Sequence, residues 1–381
     1  QADAAVQPLV EQQIQAELAH AAWSLASLVD LGEEPALVLV RTALENSLAQ
    51  QRVRLFLWLA LLYDASTIQR TRDALGLALG VQRELAAEQR AYALETLDGI
   101  VANLFKQNLL ALLDDLPPAP MLARLANDFA QPTLNQAQRI YAIITSSEAW
   151  VTPWTQAIAL YAATALTKTS AAPQLLIQKA AMAAHTASSA LVVETATWAL
   201  ATLDMENEES TIEKLAHIGG HKMLLTIEKV MILKTVDIFA ATPDEILVDI
   251  AALLKEIEAP PGTTIFEKGS QGDSMYLIVE GEVEARDGDH VFARMGERRV
   301  FGEMALLDGE PRTASICTTQ ATRLLRLDQE PFYELMDDRI EVARGIIHVL
   351  LQRLRLRTND VNKLQAKVNK LERATNRADE G

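Results

Sequence analysis

The chain has 381 residues, 49% of them hydrophobic, which allows two or three domains with their own cores and excludes a disordered polypeptide. A formal net charge of −16 argues against general nucleic-acid binding. The single cysteine, Cys317, excludes an intrachain disulfide and fits a reducing, cytoplasmic compartment, and no stretch reaches the about 18 apolar residues that a bilayer-spanning helix needs.

Residues 1–205 are rich in Ala, Leu and Gln, with apolar residues at three- and four-residue steps, and are expected to be helical. One helical turn recurs: Trp23-Ser24-Leu25-Ala26-Ser27-Leu28, Tyr92-Ala93-Leu94-Glu95-Thr96-Leu97 and Trp198-Ala199-Leu200-Ala201-Thr202-Leu203. Looser copies start at Trp58 and Tyr161, so the aromatic positions are separated by 35, 34, 69 and 37 residues, with Phe129 near the skipped one. A period near 35 predicts one helix pair per unit, stacked as a solenoid with the aromatics in the core. These units resemble degenerate HEAT-type repeats. Breaks are expected at Gly32-Glu33-Glu34-Pro35 and at Pro117-Pro118-Ala119-Pro120, the latter as a stiff loop. Pro153 and Pro173 are expected at or near the first position of a helix.

Residues 206–236 read as a helical connector interrupted at Gly219-Gly220. His217 and His221 are four apart, but the glycines between them and the lack of a third ligand argue against a metal site. A helix is expected from Thr242, with Thr242 as N-cap and Glu245 in the capping-box position. Short strands bounded by Gly follow: 263–267, 274–279, 282–286, 290–295, 314–318 and 322–327, with Asp287-Gly288 as a hairpin signal. Many short strands with Gly at the corners describe a small barrel or roll.

Between the strands lies Phe301-Gly302-Glu303-Met304-Ala305-Leu306-Leu307-Asp308-Gly309-Glu310-Pro311-Arg312-Thr313-Ala314. An Arg nine residues beyond a Glu on a short helical turn can offer its fork to a phosphate while the carboxylate accepts from a hydroxyl. The stretch therefore reads as a pocket for a small molecule carrying both groups. Phe301-Gly302-Glu303, Ala305-Leu306 and Pro311-Arg312-Thr313-Ala314 resemble, at the same spacing, the phosphate-binding cassette of cyclic nucleotide-binding domains of the catabolite activator and protein kinase A regulatory type.

The resemblance implies an eight-stranded roll with the cassette helix inside it. It implies Glu303 on the ribose 2′-hydroxyl and Arg312 on the exocyclic phosphate oxygens. Phe301, Gly302, Met304, Ala305, Thr313 and Ala314 complete the expected ligand-binding set. The ligand would be cAMP or cGMP, with cAMP favoured and no other cofactor. One departure precedes the cassette: where the family usually shows Gly-Pro-Gly-Asp, this chain has Gly296-Glu297-Arg298-Arg299. Helical repeats followed by such a domain also resemble the cytosolic region of bacterial nucleotide-translocase-like membrane proteins. The chain opens on Gln1, so a preceding membrane region is one expectation.

From Ile340 the sequence becomes a heptad, with Ile347, Leu354, Val361 and Val368 at a and Leu350, Arg357, Leu364 and Leu371 at d. β-Branched residues at a with Leu at d predict a parallel two-stranded coil and hence a homodimer. The basic residues around this stripe are not followed by a helix-turn-helix, so DNA is not an expected partner. The fold expected is thus multidomain α and β: a helical repeat solenoid at 1–205, the connector at 206–236, a cyclic nucleotide-binding domain at 237–345 and a coiled-coil helix at 346–377. No Ser/His/Asp set, metal cluster or nucleotide-hydrolysis loop is visible, so the chain reads as a regulatory protein and not an enzyme. The alternative is a ligand-free interaction scaffold carrying a degenerate copy of the sensor.

Overall fold

The computed structural model describes residues 6–77, 87–167, 174–204, 223–236, 239, 242–340, 342–343, 346–347 and 351. Of the coil expected at 346–377 all but 346–347 and 351 lies outside the described residues, as do His217, His221, Gly219-Gly220 and Pro173. Contacts divide the chain into two compact units, residues 1–222 and 223–381.

The first unit is helical: α1 (Gln7–Leu31), α2 (Val38–Leu62), α3 (Ala65–Ala74), α4 (Ala87–Ile100), α5 (Asn103–Leu113), α6 (Pro118–Leu125), α7 (Gln136–Ile144), α8 (Pro153–Thr167), α9 (Gln174–Ala184) and α10 (Ala190–Asp204). Local chemistry sets many of the ends. Gly32 closes α1 at φ 67°, a conformation cheap only for glycine. The Asp64 side chain accepts from the Thr67 amide to start α3. Asn135 and Gln138 form a capping box at α7. Pro153 opens α8 where its missing N–H costs nothing. The prolines expected to form a stiff loop do something else: Pro117 is the N-cap of α6 and Pro118 its first residue. Proline's fixed φ suits a first helical turn as well as it suits a loop.

The evenly stacked repeat expected of residues 1–205 is not shown among the described residues. Helices α1 and α2 are 25 residues each, against 8–15 for the rest. α1 packs on α2, α5, α6 and α7, and α2 packs on α3 and α8. A solenoid unit meets only its immediate neighbours; here one long hairpin organises the helices around it. The core it builds joins Ile14, Leu18 and Leu25 of α1, Leu55, Phe56 and Leu59 of α2, and Phe105, Leu109 and Leu125 from farther along. The recurring aromatics are not its centre. Trp23, Trp58, Phe129, Tyr161 and Trp198 are only half-buried, and Tyr92 is 73% exposed. Leucine and alanine fill the interhelical space, while Trp23 packs edge-on against Trp150 and Tyr161 stacks on Trp198 at the margins.

In the second unit α11 (Thr226–Lys234) packs on α12 (Asp244–Leu253), which packs on α14 (Gln329–Asp338). Thr242 does not cap α12. Pro243 is the N-cap, no side chain closes the turn, and the Thr242 hydroxyl is buried without a hydrogen-bond partner among the described residues. The strands form two four-stranded sheets, ordered β1-β8-β3-β6 and β2-β7-β4-β5. They are β1 (Lys255–Ala259), β2 (Thr264–Phe266), β3 (Ser274–Glu280), β4 (Val283–Asp287), β5 (His290–Met295), β6 (Val300–Phe301), β7 (Ser315–Thr318) and β8 (Thr322–Asp328). The sequence signals miss β1 and β6. Lys255-Glu256-Ile257-Glu258 is too charged to read as a strand, yet it pairs antiparallel with β8 along its whole length. β6 is two residues long and pairs with Tyr276 and Leu277 of β3. The β4–β5 hairpin turns through Gly288-Asp289, with Asp287 still paired to His290. The two sheets enclose a core of Tyr276, Ile278, Val283, Ala285, Phe301, Ala314, Ile316 and Leu324.

Candidate functional site

Residues 301–314 bridge the two sheets. Phe301 ends β6, buried, with its ring stacked on Tyr276 at 5.2 Å and 11°. Gly302 follows at φ 76° and caps the short helix α13 (Glu303–Asp308). Its conformation and its surroundings both call for glycine: a Cβ there would lie 2.4 Å from Arg312 Nη1. On α13, Ala305 is buried, Met304 is 64% exposed and Glu303 is half-buried. The Glu303 carboxylate has no hydrogen-bond partner among the described residues. Gly272, in the turn before β3, is held to glycine by this packing: a Cβ there would stand 2.2 Å from Ala305 Cβ.

After α13 the chain returns along that same turn. The Arg312 amide donates to Ser270 O at 2.9 Å, and Gly269 N donates to Arg312 O at 2.8 Å. These bonds aim the Arg312 side chain into the roll, where it is 6% exposed. Its Nη2 donates to Ser274 O at 2.7 Å and to Ser274 Oγ at 3.1 Å, and its Nη1 donates to Gly302 O at 3.3 Å. Cζ lies 4.1 Å from the ring centroid of Phe266. Nε is buried and has no hydrogen-bond partner among the described residues. Burial lowers the guanidinium pKa from the ordinary arginine value; nearby Arg326 acts the same way, and Tyr276 and Asp273 oppose it. Thr313 is exposed and Ala314 buried.

Arg312 and Glu303 form no ion pair with each other among the described residues, so the reading of the two as an internal salt bridge has no support in the geometry. A buried cation held only by neutral carbonyl and hydroxyl oxygens, with Nε–H unspent among the described residues, is suited to receive an anion. Beside it, Arg326 reaches Asp273 at 3.7 Å, bonds Asp328 and lies 5.9 Å from the ring centroid of Tyr276. Gln329 donates its side-chain N–H to Ala305 O at 3.2 Å and to Leu306 O at 3.1 Å.

The altered approach, Gly296-Glu297-Arg298-Arg299, keeps a left-handed residue without glycine. Arg298 sits at φ 63°. Two main-chain bonds hold it there: Arg298 N to Ile278 O at 2.9 Å and Ile278 N to Arg299 O at 3.0 Å. Both arginine side chains are exposed.

Sequence reasoning missed Phe266, Ser274, Tyr276 and Gln329. β3 reads as a buried strand without clear alternation, its first five residues all being buried, so only the two-residue period of a strand, which puts 274, 276 and 278 on one face, could have pointed to two of them. Among the described residues no group of three or more His, Cys, Asp or Glu side chains is placed to hold a metal, and no helix is long and apolar enough to cross a membrane.

The family model described as the cyclic nucleotide-binding domain matches residues 256–339. A CRP-like cAMP-activated global transcriptional regulator of Mycobacterium tuberculosis is 36% identical over 119 residues, covering 29% of this chain and 53% of that protein. A cyclic nucleotide-gated potassium channel of Rhizobium etli is 35% identical over 118 residues, covering 31% of this chain and 33% of the channel. A cAMP-dependent protein kinase regulatory subunit of Aspergillus fumigatus is 38% identical over 97 residues, covering 25% of this chain and 24% of the subunit. The chain thus spans about half the length of the first curated relatives it matches, and less of the others. These relatives are regulators and a channel. Residues 256–339 are a cyclic nucleotide-binding domain homologous to those of the regulators.

Proposed function

We propose that the chain is a cyclic nucleotide-sensing regulatory protein, with the ligand held in the roll by residues 301–314. The observation that carries this reading is Arg312: a guanidinium 6% exposed, faced by carbonyls and not by a carboxylate, with Nε unspent. Taking a cation out of water is costly unless an anion arrives to meet it. A cyclic phosphate supplies that anion. Glu303, whose carboxylate is unpaired among the described residues, takes the ribose 2′-hydroxyl. Phe301, Gly302, Met304, Ala305, Thr313 and Ala314 shape the pocket around them, and cAMP is the preferred ligand over cGMP. The relatives named for cAMP support that choice.

In this reading the protein works by population shift. Ligand on Arg312 reorders the cassette, the following helices repack, and the change reaches the helical unit of residues 1–205 or a dimer made through residues 346–377. The helical unit, whether or not its units descend from HEAT-type repeats, is the surface that a protein partner reads. No reaction is catalysed, and DNA is not a partner.

Isothermal titration calorimetry tests the reading. The protein is expected to bind cAMP more tightly than cGMP, and Arg312→Ala is expected to abolish binding with the fold retained. Unchanged affinity in that variant would remove Arg312 from the site. The ligand-free scaffold is the second reading, favoured by the bonds that Nη1 and Nη2 already make to Gly302 and Ser274. A thermal-shift screen separates the two, since a ligand at 100 times its Kd adds about 2.7 kcal/mol to native stability and a ligand-free scaffold gains nothing.

A further inference from the structure

We infer that Phe266 is the positioning residue for the Arg312 guanidinium, holding its plane so that Nε–H is presented to an anionic oxygen inside the roll. The inference rests on the cyclic nucleotide reading above and deepens it. Arginine carries five N–H donors in one rigid plane. Nη2 spends its two hydrogens on Ser274, at O (2.7 Å) and Oγ (3.1 Å). Nη1 gives one to Gly302 O at 3.3 Å. Nε has no acceptor although it is buried. Three of the five hydrogens are spent at the far end of the fork, and Nε–H is left to be presented.

Those hydrogen bonds fix where the guanidinium points. They leave its rotation about that direction loose, because carbonyl oxygens accept over a broad angular range. The ring removes this freedom. Cζ stands 4.1 Å from the Phe266 centroid, well inside cation–π range. Phe266 is itself braced: its ring lies 5.9 Å from Tyr276 and 5.8 Å from Phe301, and those two stack at 5.2 Å. Phe301 immediately precedes Gly302, whose missing Cβ leaves the space that Nη1 occupies. The aromatic trio therefore ties the plane of Arg312 to the first turn of the cassette. An aliphatic side chain at 266 would fill volume without presenting a negative face. The guanidinium would then gain orientations that ligand binding must take away again.

Calorimetric titration of the full chain with cAMP tests this, using Phe266→Leu and Phe266→Tyr. Phe266→Leu is expected to bind about fivefold to thirtyfold more weakly, which at 1.4 kcal/mol per decade is about 1 to 2 kcal/mol. Phe266→Tyr keeps the ring face and is expected to stay within about twofold of the parent protein. A second measurement needs no variant at position 266: the Arg312 Nε–H proton NMR signal, assigned by its loss in Arg312→Lys. In the free protein it is expected upfield of ordinary arginine positions, from the ring current of Phe266, and it should move downfield when cAMP is added. Equal affinity of the leucine variant and the parent protein overturns the inference. So does a tyrosine variant as weak as the leucine one, or an Nε–H signal that stays in place although calorimetry shows cAMP bound. A parent protein that takes up no cAMP would overturn the functional reading instead. The ring-current displacement of the free Nε–H, present or missing, then decides the positioning role alone.

Discussion

Gly302 and Arg298 both occupy left-handed backbone, at φ 76° and 63°, and meet its demands differently. At Gly302 any side chain is strained and a Cβ would also strike Arg312 Nη1. Gly302→Ala is expected to cost about 2 kcal/mol, read from urea unfolding, and to weaken cyclic nucleotide binding by displacing Arg312. Arg298 carries the strain of its conformation without any such contact, and two main-chain bonds to Ile278 hold it. Arg298→Gly is expected to raise stability by about 0.5 to 1 kcal/mol in the same assay. Lower stability in that variant would show that the Arg298 side chain contributes more than its backbone costs. At this scale the sequence was informative where spacing carries meaning. The interval between Glu303 and Arg312, and the glycine before Glu303, were legible. The partners of Arg312 were not, because Ser274 and Phe266 are 38 and 46 residues away along the chain and meet it only once the roll closes.

Among the elements of the first unit, α7 is pinned to α1 by a buried ion pair. Arg139, 1% exposed, donates to Asp30 Oδ2 from Nη2 at 2.6 Å and from Nε at 2.9 Å. Removing one member strands the other charge, so Asp30→Ala is expected to cost about 3 kcal/mol in chemical denaturation. Replacing both members with apolar residues should recover much of that loss. Helix α3 carries a pH signature at its start. The Asp64 carboxyl accepts from Thr67 and Ser66 and is held down to about 2 from an ordinary 3.8. A depressed folded value means that this contribution is complete above the ordinary value and is lost as pH falls through about 2. Carboxyl carbon NMR of the native protein should show Asp64 titrating near that value, and Asp64→Ala should flatten the fall of stability over that interval. Helix ends marked by Pro153 and Gly32 were legible in the sequence, but the side-chain caps were not: Asp64 and Asn135 went unread, and Thr242, read as a cap, does not close α12. Strands β1 and β6 were not: one is too charged and the other too short to leave a periodic trace, and both exist because β8 and β3 offer them a partner. The recurring aromatics misled for a related reason. A repeated Trp or Tyr marks a repeated helix face, but tertiary packing decides whether that face is covered, and at Tyr92 it is not.

For the whole molecule, the division into residues 1–222 and 223–381 places the candidate site within the second unit alone. Calorimetric melting with and without cAMP should therefore raise the transition belonging to residues 223–381, by about 2.7 kcal/mol of native stability at 100 times Kd. A shift confined to the helical unit would contradict the assignment. The chain's net charge of −16 opposes the approach of an anionic ligand. Dissociation is expected to be less sensitive to salt than association, since Arg312 is buried away from screening ions while the chain's net charge acts through solvent.

Gln329 has a mechanical consequence. It is the first residue of α14, its amide hydrogen-bonds Asp273 O at 2.8 Å, and its side chain grips the carbonyls of Ala305 and Leu306 on α13. One residue is thus a pivot on the turn before β3 and a lever arm on the cassette helix. If α13 tightens or unwinds by a fraction of a turn, those carbonyls swing, and α14 must either follow or release both bonds. Through these two bonds a single side chain couples the cassette helix to the start of α14.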